Sequence, residues 1–166
     1  MLPSSSMVLT GRAALEVSGG VAAEDENAIG GYERIMGPNG EAQYQARDLA
    51  DAYVLLLEHY ATSYVAPGES GPRRFETKDA PDRDVTLAAY EGDEGFATLG
   101  EIFSAHANPD RKRPFAMRPL MRALVDSDAG WLERWRDWVG AETAIVWDAH
   151  LGGQPSGLFG NNARPN

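Results

Sequence analysis

A mixed α/β (α+β) fold is predicted by three observations: one long stretch with apolar residues at helical period, several short β-rich apolar runs, and paired glycines that punctuate them. In chain order, Ser6-Met7-Val8-Leu9-Thr10 reads as a buried strand that Gly11 ends. Residues 12–17 read as a short helix before the Gly19-Gly20 break. Residues 22–29 are acidic at the front, which suits a brief helix because its N-terminus favours negative charge. The Gly30-Gly31 loop follows. Leu49, Ala52, Tyr53, Leu56, Leu57 and Tyr60 then recur on one face, so this is the clearest helix in the chain, and Pro67-Gly68 lies past its end.

Residues 67–84 are rich in proline, glycine and charge and read as an extended connector between zones 1–66 and 85–166. In the last zone a weak helical segment covers 96–103 and a helix covers 116–125, with Met117, Leu120, Met121 and Leu124 inward. Pro119 is tolerated only near a first turn, which puts that helix start close to Phe115 or Ala116. Trp131, Glu133 and Trp135 alternate in a way that fits strand or helix. Residues 144–147 and 158–159 are better strands, joined by the Gly152-Gly153 turn, and across this hairpin Trp147 and Phe159 are expected to pack.

The length of 166 residues fits about one domain. Its composition, 43% hydrophobic and 24% charged, fits an ordinary globular chain. No run approaches the roughly 20 apolar residues that cross a bilayer, and the N-terminus lacks a basic start, so no membrane association and a cytoplasmic location are expected. The absence of cysteine excludes disulfides, thiolate nucleophiles and Cys-bound zinc. A net charge of -10 and a pI near 4.7 argue against a nucleic-acid partner. Two cation groups, Arg73-Arg74 and Arg111-Lys112-Arg113, either meet phosphates of a nucleotide-like ligand or form solvated surface.

Side-chain chemistry is sparse. No G-x-S-x-G elbow exists, and His59, His106 and His150 are too widely spaced for an H-x-x-x-H pair, so no metal is expected. His59 reads as structural or surface and His106 as a solvent-exposed loop residue. The carboxylates of AEDEN, residues 23–27, suit a helix start better than a calcium loop. GPNGEAQ, residues 37–43, matches neither a P-loop nor a dinucleotide fingerprint. Paired glycines remain, either as turns or as backbone whose amides reach a developing oxyanion. The second reading is strongest for Gly30-Gly31, which lies between two helical segments.

Two blocks carry a resemblance. SSMVLTGRAALEV with NAIGGYERIMGPNGEAQYQARDLADAYVLLLEHY resembles the end of the N-terminal half of the carboxyltransferase domain of biotin-dependent acyl-CoA carboxylases, the acetyl-CoA/propionyl-CoA carboxylase family. PFAMRPLMRALVDSD, WLERW and AETAIVWDAHLGGQPSGLFGNN are similar to the opening of its C-terminal half. The resemblance implies crotonase-type ββα units, present incompletely as the end of one half (1–66), a connector (67–84) and the start of the other (85–166). It implies transfer of a carboxyl group from carboxybiotin to the α-carbon of an acyl-CoA, with the freed biotin nitrogen as base and backbone amides on the enolate oxygen. An enzyme whose base is its own cofactor needs no catalytic Ser, Cys or His.

The residues carried over are Gly11 and Arg12, near which the family binds CoA, and Gly30 and Gly31, which match its L-G-G loop. Val17 stands where eukaryotic members have a lysine. His150 replaces the arginine of A-R-L-G-G, either as a catalytic-site, pH-dependent partner for a carboxylate or as a strand-end histidine without a ligand. The implied partners are biotin carboxyl carrier and biotin carboxylase components, complementary carboxyltransferase segments and an oligomer, in a fatty acid biosynthesis context. The chain is expected to be a split subunit, truncated product or fragment that is inactive alone, and the alternative is a non-catalytic assembly or CoA-binding fragment of such an enzyme.

Overall fold

The computed structural model describes residues 1–20 and 22–162, and its elements divide between two units. The last four residues of the 85–166 zone lie outside the described residues. The first unit comprises Met1–Leu57 with Arg134–Ala141. Its helix α1, Arg12–Gly19, starts after Gly11 and closes at Gly20, whose φ of 62° is the left-handed cap that favours glycine. Helix α2, Asn27–Gly30, is one turn, shorter than the 22–29 expectation; the Asp25 carboxylate accepts the Ala28 amide at 2.8 Å. A π-turn, Tyr32–Met36, follows. The Tyr32 ring is buried, and its hydroxyl donates to Asp137 at 3.0 Å.

The expected strand at 6–10 does not form. Only an isolated antiparallel bridge joins Ser6 to Gly31, and Met7 and Leu9 are exposed. A strand needs a neighbouring ladder, and Gly31 offers it one bridge.

Helix α3, Leu49–Ser63, runs from the first unit into the second. Its start is a reciprocal cap: the Asp48 side chain accepts the Asp51 amide at 2.9 Å and the Asp51 side chain accepts the Arg47 amide at 2.9 Å. The helix stands where periodicity put it, but Leu49, Tyr53, Leu56, Leu57 and Tyr60 are exposed among the described residues.

The second unit comprises residues 58–133 and 142–162. Helix α4 is Leu99–Phe103 and helix α5 is Met117–Leu124. Pro119 sits in the first turn of α5, as its missing N–H requires. Arg83 closes the other end, donating to the carbonyls of Ala123 at 2.6 Å and Val125 at 2.9 Å. Strands β1 (Leu132–Arg134), β2 (Ala144–Leu151) and β3 (Gln154–Asn161) form a sheet in that order. The β2–β3 hairpin is antiparallel and pairs Leu151 with Gln154 and Trp147 with Leu158. Phe159 therefore opposes Val146, not Trp147; Trp147 is buried with Met121 and Ile145, whereas Phe159 is 73% exposed. A second cluster packs Tyr90, Phe96, Leu99 and Ile102.

Candidate functional site

A cavity of the second unit, about 190 Å³, lies among the last turns of α3, the turn before β1 and strand β2. Strand periodicity puts Asp148 and His150 on one face of β2, two residues apart. Both line the cavity, with Phe75 and Trp131 among its walls. His150 is 6% exposed, its Nδ1 is buried with no hydrogen-bond partner, and its ring stands 5.4 Å from the ring of Phe75. His59 Nδ1, on α3, is 4.0 Å from Asp148 Oδ2, on β2.

Asp128, also at this cavity, accepts the Thr77 hydroxyl and the Lys78 amide, each at 2.7 Å. The Lys78 amide, followed by the Thr77 hydroxyl, holds its carboxyl below the usual range, because both bonds favour the ionised form. The turn at the end of β2 is fixed by buried Asp126, whose two oxygens accept the amides of Gly152 and Gly153 at 2.7 Å each.

In the first unit, Gly31 borders a cavity of about 320 Å³ with Asn27, Tyr32 and Arg34, while Gly30 is buried. The Gly30 amide donates to Glu26 O and the Gly31 amide to Asn27 O, each at 3.0 Å. These two nitrogens are engaged in helical bonds and present no free donor to an oxyanion. Glycine at 30 has another reason: a Cβ there would lie 2.4 Å from Met7 O and from Val8 Cγ1. Gly11 precedes α1, and the Arg12 amide donates to Glu26 at 3.1 Å. The Arg12 guanidinium donates to Glu24 O at 3.1 Å and stands 3.5 Å from Glu16. Of the AEDEN carboxylates, Glu26 is thus a partner of α1, Asp25 caps α2, and Glu24 pairs with Arg34 at 3.3 Å.

Of the other basic residues, Arg73 pairs with Glu69 at 2.8 Å, Arg74 donates to Gly152 O at 2.8 Å and Lys112 pairs with Asp110 at 3.5 Å. Sequence reasoning singled out His150 but passed over Asp148, although a spacing of two on a predicted strand signals a shared face. Glu58 and Asp128 arrive through tertiary folding and carry no local signal. Among the described residues no group of three or more His, Asp or Glu is placed to hold a metal ion, and no helix is long and apolar enough to cross a membrane.

A family model described as carboxyl transferase domain matches residues 1–166. No curated protein matches the chain at a significant level. Among solved structures, transcarboxylase 12S, described as a hexamer assembly with methylmalonyl-coenzyme A and methylmalonic acid bound, is similar with a TM-score of 0.70 at 16% identity. That likeness covers 98% of this chain and 27% of the other. The same protein with hydrolysed methylmalonyl-coenzyme A bound gives 0.69 at 16% identity, over 98% of this chain and 27% of that one. A single-chain, multi-domain long-chain acyl-CoA carboxylase gives 0.66 at 20% identity, over 97% of this chain and 13% of that one. The mixed helix and sheet fold is therefore that of carboxyltransferase, crotonase-like structures, and the chain spans about a quarter or less of these neighbours.

Proposed function

Because the chain belongs to the carboxyl transferase domain family, we propose that it is a segment of a biotin-dependent carboxyltransferase, an enzyme component that moves a carboxyl group from carboxybiotin to the α-carbon of an acyl-CoA. The observation that carries this reading is the family match across residues 1–166, which takes in both sequence blocks and the connector between them. The fold likeness to transcarboxylase 12S and to the long-chain acyl-CoA carboxylase supports it. In this reading the chain holds an incomplete set of crotonase-type ββα units, the end of an N-terminal half at 1–66 and the start of a C-terminal half at 85–166. Its partners are complementary carboxyltransferase segments, a biotin carboxyl carrier and a biotin carboxylase component. The hexamer described for transcarboxylase 12S supports an oligomer.

The paired glycines do not fit a cradle for biotin or for an enolate oxygen. The amides of Gly30 and Gly31 bond to Glu26 and Asn27, and those of Gly152 and Gly153 bond to Asp126. No step through biotin is therefore assigned to them. The same observation favours a second reading, a non-catalytic assembly or CoA-binding fragment derived from such an enzyme, with Gly11 and Arg12 on the CoA side.

Both readings meet one experiment. The chain is mixed with the complementary segments, biotinylated carrier and biotin carboxylase, and labelled bicarbonate is followed into malonyl-CoA or methylmalonyl-CoA. The first reading expects no label with the chain alone and incorporation on full complementation; complementation that stays at zero counts against it. Calorimetry with CoA and acyl-CoA at low salt then divides the second reading: the enzyme segment and a CoA-binding fragment expect binding that Arg12→Ala weakens, and a pure assembly fragment expects none.

A further inference from the structure

GPNGEAQ, residues 37–43, has no part in the carboxyl-transfer reading, yet it holds the chain's single Asn-Gly pair, Asn39-Gly40. Asn39 is exposed on a turn, and Gly40 stands at a φ of 78°. A side-chain amide one residue before glycine is open to attack by the glycine's main-chain nitrogen, because no Cβ shields that nitrogen and the ring that closes is five-membered. Asn39 Oδ1 accepts the Glu41 amide at 3.0 Å, so the side chain bridges across Gly40, next to its nitrogen. The same Glu41 N–H stands where negative charge develops on Oδ1 during attack. The Gly40 amide donates to Gly37 O at 3.0 Å, a single turn bond that opens before attack and slows the step without blocking it.

The turn also holds segment 134–141 of the same unit. The Val139 amide donates to Pro38 O, before the pair, and the Trp135 amide to Gln43 O, after it, each at 3.1 Å. The Trp138 ring lies against Gly40, where a Cβ would stand 2.7 Å from Trp138 Cδ2.

We propose that Asn39-Gly40 is a self-modifying site, at which the turn deamidates without an enzyme and the isoaspartate so formed loosens segment 134–141. The Gly40 nitrogen gives its proton to hydroxide and forms a bond to Asn39 Cγ; the Cγ–Nδ2 bond breaks, and ammonia leaves with a proton from water. Water then opens the succinimide. Hydrolysis at Cγ restores an ordinary main chain as aspartate, whereas hydrolysis at the main-chain carbonyl leaves the chain running through Cβ and Cγ, one methylene longer. That methylene falls between the two anchoring bonds at Pro38 and Gln43 and changes their spacing. The proposal stands apart from the carboxyl-transfer reading.

The test ages the full chain for weeks in mildly alkaline buffer made with heavy-oxygen water, then digests it with trypsin in ordinary water. Mass spectrometry reads the tryptic peptide of residues 35–47, in which Asn39 is the sole asparagine. Aspartate and isoaspartate are expected at position 39, each carrying one heavy oxygen, at a rate that rises in proportion to hydroxide. In the isoaspartate form the Trp135 and Val139 amides are expected to exchange hydrogen about tenfold faster, the factor that loss of an ordinary hydrogen bond gives. Fresh Asn39→Asp, which adds the charge without lengthening the chain, is expected to keep the original exchange rates. Asn39→Gln, aged alongside, is expected to show neither product nor faster exchange. A folded chain that stays unmodified after the free peptide of residues 35–47 has converted overturns the proposal. So does unchanged exchange in the isoaspartate form, or equal acceleration in fresh Asn39→Asp or aged Asn39→Gln.

Discussion

The Asp126 carboxylate holds the Gly152-Gly153 turn with both oxygens, Oδ1 on the Gly152 amide and Oδ2 on the Gly153 amide, each at 2.7 Å. Its own amide donates to His150 O at 2.9 Å, so one buried residue sets the end of β2 and the height of His150 in the cavity. Charge-assisted bonds of this kind are each worth about 1.5–3 kcal/mol. Asp126→Ala is therefore expected to lose about 3 kcal/mol in urea denaturation. Asp126→Asn is expected to lose about 2 kcal/mol, because its NH₂ then faces one of the two amides as a second donor. Equal stability of all three proteins contradicts this role.

Glu133 occupies a comparable position on β1. It forms a bidentate ion pair with Arg118, and its Oε2 accepts Trp147 Nε1 at 3.2 Å. Both partners are mostly buried, so removing one leaves an unmatched charge under the sheet. Arg118→Met is expected to cost about 3 kcal/mol and the double variant Arg118→Met/Glu133→Leu distinctly less, since the second change removes the stranded carboxylate. Chemical denaturation of the three proteins checks the ordering; a double variant as unstable as the sum of its singles refutes it.

Two tyrosines set an alkaline limit. Burial, then the Asp137 carboxylate that accepts its hydrogen bond, push Tyr32 up to about 12; burial, then the hydrogen bond to Glu94, push Tyr90 up to about 12. The unfolded chain titrates them near 10. The folded protein thus holds these protons more tightly, so their contribution is complete below pH 10 and is lost as pH rises toward 12. Urea midpoints are expected to fall steeply over that interval, and less steeply in Tyr32→Phe and Tyr90→Phe. An unchanged slope in both variants contradicts the assignment.

Local rules made α1, α3, α5 and the hairpin legible in the sequence, because helical period, Pro119 and the Gly152-Gly153 turn act within a few residues. The misreadings have nonlocal or parity causes. Residues 6–10 look like a strand, but pairing depends on a neighbour far along the chain. Trp147 and Phe159 were expected on one face; a two-residue turn pairing Leu151 with Gln154 fixes Trp147 against Leu158 and turns Phe159 outward. The exposed face of α3 is apolar in sequence whether or not anything covers it. At the cavity, His150 and Asp148 lie one side chain apart along the same face of β2, a spacing that strand alternation makes readable in the sequence. Gly30-Gly31 shows the limit of composition: a glycine pair looks the same whether it admits a ligand or, as at Gly30, the main chain of Met7.

The turn offers the sharpest paired test. Gly152 has φ 56° and open space where a Cβ would go, so Gly152→Ala carries only left-handed backbone strain, about 1 kcal/mol. Gly153 has φ 76°, and a Cβ there would lie 2.2 Å from Phe75 O. Its carbonyl also accepts the Phe75 amide at 2.8 Å, so alanine must push aside a main chain bonded to it. Gly153→Ala is expected to lose about 3 kcal/mol or more, adding steric displacement and the broken bond to the same strain. Moving Phe75 also strips the His150 ring of its neighbour, so the tryptophan emission of the cavity wall at Trp131 is expected to shift in Gly153→Ala and stay in place in Gly152→Ala. Matching losses in the two variants show that backbone conformation alone governs the turn and that the Phe75 contact contributes nothing.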